Sequence, residues 1–221
     1  MTEVAIAQTT LSNEAAATAL AGEIRQKLSG APDALIVFAS PDNEASILLQ
    51  ALAKACGTDV IVGCTSAGEF TNDGSGQGLT NVTAIRASNI QFTVTCGTNL
   101  SADYRSAAKN LAAGFRAASC PQFPFRSALI LLDALAGHAE QLIETLTVDT
   151  AGTYRFFGGG AGDDARFQKT HVFCGTQVLT NAAVALEILS KRPVGIGARH
   201  GWQRRAPRCA SRKQIRRASS A

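Results

Sequence analysis

Two short stretches hold the residues best placed for chemistry: Gly63-Cys64-Thr65-Ser66-Ala67-Gly68-Glu69 and Gly158-Gly159-Gly160-Ala161-Gly162-Asp163-Asp164. Each follows an apolar run, gathers small residues and ends on an acid. Small residues let a backbone approach a ligand closely and expose its N–H donors. The carboxylates of Glu69, Asp163 and Asp164 would draw an amine or another cation, while the N–H groups take a carboxylate. Together they suit a small zwitterion such as an amino acid. The site on this reading comprises Cys64, Thr65, Ser66, Gly68 and Glu69 from the first stretch and Gly159, Gly160, Gly162, Asp163 and Asp164 from the second. The competing reading is architectural. Small residues also permit close packing where two sheets cross, and loop acids are mostly solvated.

Other chemistries find fewer of their parts. No phosphate-loop lysine follows either stretch, and the glycines do not keep the G-x-G-x-x-G spacing of a dinucleotide site. Cys64-Thr65-Ser66-Ala67-Gly68 stands one residue away from G-x-S-x-G. Ser66 or Cys64 can be combined on paper with His138 or His171 and Asp133. A hydrolase needs its base held beside the nucleophile by a third group, and no spacing here supplies that. A hydrolase is therefore the third reading, and the chain is read as a non-enzyme with no catalytic residue. His171, beside Val172 and Phe173, is the position from which a haem iron could be held; a hydrogen-bonded histidine on a sheet is the plainer reading. Cys56, Cys64, Cys96, Cys120, Cys174 and Cys209 show no C-x-x-C pair. They read as reduced, small apolar side chains, with no metal site expected.

The elements that must position these stretches follow from periodicity. Residues 12–29 read as a helix with Ala17, Leu20, Ala21, Ile24 and Leu28 on one face. Ala34–Ala39 is an apolar run of strand length, covered on both faces. Ser40 or Asp42 is expected to cap a helix with Ile47, Leu48, Ala51, Leu52 and Ala55 as its buried stripe, stopped by Gly57. Asp59–Gly63 reads as a strand that delivers the first small-residue stretch. Asn81–Ala87 and Ile90–Cys96 read as a hairpin turning at Ser88-Asn89. Ser101 is expected to open a helix, and Pro121 and Pro124 to bracket the boundary between two units. Ala128–Leu132, a helix with Leu142, Ile143 and Leu146, and Tyr154–Phe157 then lead to the second stretch. A hairpin around Cys174-Gly175-Thr176 and an apolar strand over Asn181–Leu189 close the series.

The series repeats. Ala34-Leu35-Ile36-Val37-Phe38 and Ala128-Leu129-Ile130-Leu131-Leu132 lie 94 positions apart, as do Ala67-Gly68-Glu69 and Ala161-Gly162-Asp163. A constant offset across strand, helix and loop marks a duplicated unit. The expected fold class is mixed α/β: a duplicated β-α-β-β-β unit, with parallel and antiparallel pairs in its sheets and flanking helices. Ligands of such sheets tend to sit beyond the carboxyl ends of the parallel strands, where both stretches fall.

Charge is divided unevenly. All 17 acidic residues lie at or before Glu187, with 11 of the 21 Lys and Arg, so the body to Ser190 carries −6. The other ten basic residues follow from Lys191 onward. An acidic body gives no reason to expect nucleic-acid binding. No apolar run is long enough to cross a membrane, and the N-terminus lacks the basic then apolar pattern of a signal peptide; the expected location is cytoplasmic.

Val37-Phe38-Ala39-Ser40-Pro41-Asp42, Val62-Gly63-Cys64-Thr65-Ser66-Ala67-Gly68-Glu69, and Phe157-Gly158-Gly159-Gly160-Ala161-Gly162-Asp163-Asp164 with Phe167 carry a likeness. With Val172-Phe173 and His200-Gly201-Trp202, they resemble the FIST family of bacterial sensory domains over about residues 30–202. The resemblance implies ligand sensing in place of catalysis, with amino acids among the ligands. It also implies a separate signalling partner such as a histidine kinase, a chemoreceptor or a cyclic-di-GMP enzyme. Some similar proteins are haem-binding nitric oxide sensors, which gives His171 its alternative role. Members of the family continue into a second domain, whereas here residues 203–221 form a basic tail. The expected organisation is a sensory domain over 1–202 and a disordered tail over 203–221, a truncated or frameshifted end; the competing reading is a basic arm that binds nucleic acid or an anionic membrane.

Overall fold

The computed structural model describes residues 1–72 and 74–197. His200-Gly201-Trp202, the tail 203–221 and the expected boundary between residues 202 and 203 lie outside the described residues. In chain order the elements are β1 (Thr2–Thr9), α1 (Asn13–Lys27), β2 (Ala34–Ala39), α2 (Ala45–Cys56), β3 (Ile61–Thr65), β4 (Glu69–Thr71), β5 (Gly74–Gly76) and β6 (Thr80–Ala87). There follow β7 (Ile90–Thr98), α3 (Tyr104–Ala113), β8 (Phe125–Leu132), α4 (Ala139–Asp149), β9 (Arg155–Gly160), β10 (Val172–Cys174), β11 (Gln177–Leu179) and β12 (Ala182–Ser190).

Four layers result, with α1 and α2 outside one sheet and α3 and α4 outside the other. The first sheet runs β1-β6-β2-β3-β10-β11 and the second β7-β12-β8-β9. One core lies between α1, α2 and the first sheet, around Leu20, Ile24, Leu35, Leu48 and Leu52. A second fills the space between the sheets, around Val62, Leu131, Val184 and Leu186. A third lies between the second sheet and α3 and α4, around Leu111, Ile130, Leu142 and Leu146. β12 is buried along its whole length because it is central in its sheet and covered on both faces, which explains its unbroken apolar run.

The mixed α/β class and the duplication hold, and the repeat is larger than the sequence unit. β1-α1-β2-α2-β3-hairpin-β6 is matched by β7-α3-β8-α4-β9-hairpin-β12. In each, the last strand lies antiparallel between the first strand and the second, and the second pairs parallel with the third. The junction is therefore Ser88-Asn89, not the segment around Pro121 and Pro124. Ser88-Asn89 is not a hairpin turn either: β6 joins the first sheet and β7 the second.

The offset also varies. Val37 pairs with Gly63, and Ile130 with Gly158. Leu35, Val37 and Ala39 face the first helix layer as Ala128, Ile130 and Leu132 face the second. β2 and β8 thus correspond at 93 and β3 and β9 at 95, while Leu48 and Leu52 keep 94 with Leu142 and Leu146. A uniform 94 would turn strand side chains to the wrong face, because strands alternate every residue.

Two helices start later than expected. α2 begins at Ala45 after Glu44, which makes no side-chain cap bond. Ser40 instead accepts the Asp42 N–H at 3.3 Å in a turn. A missing cap costs about 1 kcal/mol; burying Leu48, Leu49 and Leu52 completely returns roughly 1.5–3 kcal/mol each, so packing decides the helix. Gly57 ends it in the left-handed region, as expected. α3 is capped by Asp103, whose carboxylate accepts the Ser106 N–H, and not by Ser101.

Candidate functional site

The two small-residue stretches meet. Thr65 accepts the Gly162 N–H at 2.8 Å, and Ser66 accepts that of Asp164 at 3.4 Å. A Cβ on Gly162 would lie 2.9 Å from the Ala67 nitrogen, so the crossing needs a glycine there. Cys64 and Thr65 belong to β3, and Gly159 and Gly160 to β9, so these four are strand residues rather than loop residues. The segment before β10 straps the crossing: His171 donates its N–H to Thr65 Oγ1 at 3.0 Å and accepts that of Thr65 at 2.9 Å.

The acids face inward. Glu69 is buried, accepts the Ser66 hydroxyl at 2.5 Å and the Leu79 N–H at 3.0 Å. Asp163 accepts the N–H groups of Gln168 (2.6 Å), Lys169 (3.0 Å) and Phe167 (2.9 Å). The Gln168 amide, followed by those of Lys169 and Phe167, holds the Asp163 carboxyl below its ordinary value. Asp164 places Oδ2 3.6 Å from Arg166, and its buried Oδ1 has no partner. Asp133 likewise accepts from Leu135, Asn181 and the Thr170 hydroxyl. Asp163 thus spends its lone pairs shaping its own loop, while Glu69 accepts one bond on each oxygen and keeps acceptor capacity on both.

Nucleophile chemistry is not assembled among the described residues. Burial pushes the Cys64 thiol up to about 12, which leaves it protonated and inert. Ser66 donates its hydroxyl to Glu69 and its backbone N–H to the Ala39 carbonyl, with no histidine among its partners. His138 stacks on Tyr104, with ring centroids 5.1 Å apart. No group of three or more His, Cys, Asp or Glu among the described residues is placed to hold a metal ion.

Two cavities flank the crossing. The first, of about 430 Å³, lies between the β4–β5 arm and the face of the first sheet. Ser66, Gly68 and Glu69 line it with Ile6, Phe38, Phe70, Asn81 and Thr83. Asn81 is 7% exposed. Its Nδ2 donates to the Phe70 carbonyl at 3.2 Å, and its Oδ1 has no partner. The second cavity, of about 340 Å³, lies between β8, β9 and α4 and includes Gly159 and Gly160. Gly162, Asp163, Asp164 and His171 line neither, so the two stretches do not share one pocket. Ile6, Phe38 and Asn81 escaped the sequence reading. Asn81 carried the one available signal, a side chain with two hydrogen-bonding groups inside a strand of β-branched and apolar residues.

No helix among the described residues is long and apolar enough to cross a membrane. No curated protein matches the chain. The family model for the FIST N domain matches residues 33–210, most of the chain and the whole β2–β12 region that builds the crossing. The chain belongs to the FIST family, sensory domains of signal transduction.

Proposed function

We propose that this domain senses a small molecule bearing an amine, of the amino-acid class, in the 430 Å³ cavity beside the first crossing loop. That volume is in the range of small-molecule sites. The observation that carries the reading is Asn81, which lines the cavity and whose buried Oδ1 acceptor has no partner. A buried acceptor left unpaired costs about 1–3 kcal/mol, and a ligand N–H donor removes that cost. The buried Glu69 carboxylate beside it favours a cationic group, while Ile6, Phe38 and Phe70 offer an apolar wall to a side chain. The ligand carboxylate is left at the open mouth, in water.

The domain is read as non-catalytic and cytoplasmic, needing no haem. Its output passes to a separate protein such as a histidine kinase, a chemoreceptor or a cyclic-di-GMP enzyme. A thermal-shift screen against single amino acids tests the site, followed by calorimetry on each hit. A ligand at 100 times its Kd adds about 2.7 kcal/mol of stability. Asn81→Leu removes the acceptor and is expected to weaken the hit about tenfold or more. A hit that survives Asn81→Leu, or no hit across the set, overturns the reading.

A further inference from the structure

The two repeats end their parallel pair differently. On β3, the second repeat lays β10 antiparallel, with Phe173 opposite Gly63. Phe173 is fully buried in the slot between β3 and α2, and a Cβ on Gly63 would lie 2.8 Å from its ring. On β9, no strand among the described residues lies along the edge away from β8. The matching slot, over Gly158 and below Ile143 of α4, is the open 340 Å³ cavity.

The missing plug is present in the chain. β4–β5 is the counterpart of β10–β11: two three-residue strands separated by two residues, with Phe70 and Phe173 at the centre of the first. Phe70 is 80% exposed, against 0% for Phe173. In its own chain Phe70 lies against the first sheet and does not line the β9 slot. Only Ser66, Ala67 and Gly68 separate β3 from β4, a span of at most about 14 Å from Thr65 to Glu69, and Glu69 anchors the arm to Ser66 and Leu79. The second hairpin has the eleven residues 161–171 for its crossing. A second copy has no such tether.

The geometry points to self-association: the β4–β5 hairpin of one copy pairs along the open β9 edge of another, and Phe70 fills the α4–β9 slot as Phe173 fills its counterpart. The pairing gives up the Asn81 bond to the Phe70 carbonyl and gains strand bonds along an unpaired edge. It shares Phe70 and Asn81 with the amino-acid cavity, whereas Gly158, Gly159 and Ile143 lie outside it, so a change at Gly159 tests association without touching that cavity.

Sedimentation of the full chain over a wide concentration range tests it. Wild type is expected to associate, and Phe70→Ser and Gly159→Lys each to weaken association at least about tenfold. A Cβ at Gly159 meets nothing within 4 Å, so the fold accommodates the lysine. An equimolar mixture of the two variants keeps one intact hairpin and one intact slot and is expected to re-associate. A photocrosslinking residue in place of Phe70 is expected to join two chains at β9 or α4. A monomer at every concentration, association untouched by both variants, or crosslinks elsewhere overturns the inference.

Discussion

The two repeats share a topology and differ in what lies over their third strand. β3 is covered and its slot holds a buried phenylalanine, while among the described residues no strand covers the outer edge of β9 and its slot is open. A second difference sits on the last strand. Ala84 pairs with Leu35 in the first repeat, and Glu187 with Ala128 in the second. Ala84 packs in the helix-side core. Glu187 is fully buried and accepts the N–H groups of Arg116 and Ala117 and the Tyr154 hydroxyl. Burial, and then the bond to Glu187, push the Tyr154 hydroxyl above its ordinary value, so it stays a donor. The first repeat has thus become apolar core, and the second has kept polar and open features at matching positions. Duplication supplied two copies of each slot, and only one was needed to close the fold.

Phe173→Ala is the most damaging single change we expect, at about 3–5 kcal/mol of unfolding free energy. Phe70→Ser, at the matching position, should stay within about 0.5 kcal/mol. Denaturant unfolding of both variants reads the contrast, and similar values for the two would erase it. Next comes Glu187→Ala, expected to cost roughly 3 kcal/mol, because it strands two backbone donors and a hydroxyl in the interior. Glu187→Gln, which keeps an acceptor, should cost less; equal losses would mean that volume and not hydrogen bonding holds the site.

The smallest effect concerns the strap that carries β10 across. Burial, with help from Lys169 and against Asp133, holds the His171 imidazole below its ordinary value of 6.5. The unfolded chain then binds the proton more readily than the folded one. Stability is therefore complete above pH 6.5 and declines as the pH falls below it toward the lowered folded-state value. Unfolding curves at stepped pH should give a slope in that window which His171→Asn removes. An unchanged slope in the variant would assign the pH response to other groups.

Strands and helices were legible wherever one side was clearly apolar. β2, β8 and β12 announced themselves as apolar runs, and α2 and α4 as stripes of leucine. β1 was missed because its buried side carries small Ala5 and Ala7, while the larger Val4 is exposed, so its pattern runs against hydropathy. Ser88-Asn89 was misread because alternation identifies strands and says nothing of their partners. The meeting of the two small-residue stretches was legible, and the architectural reading accounts for Gly162 and Asp163. Acids that bind their own backbone look, in sequence, like acids that await a cation. The cavity beside Ser66 and Glu69 was hidden because its wall, Ile6, Phe38 and Asn81, is assembled from three strands distant in sequence.

The crossing of β10 onto β3 also has a consequence for synthesis. A ribosome finishes the first repeat at Ala87, yet the strand that covers β3 ends at Cys174 and its hairpin mate at Leu179. Until then the nascent chain carries an uncovered edge and a slot without its phenylalanine, the kind of surface that invites aggregation. The architecture is duplicated, but its halves are not separate: a cut at Ser88-Asn89 would part β3 from the β10 strand that covers it.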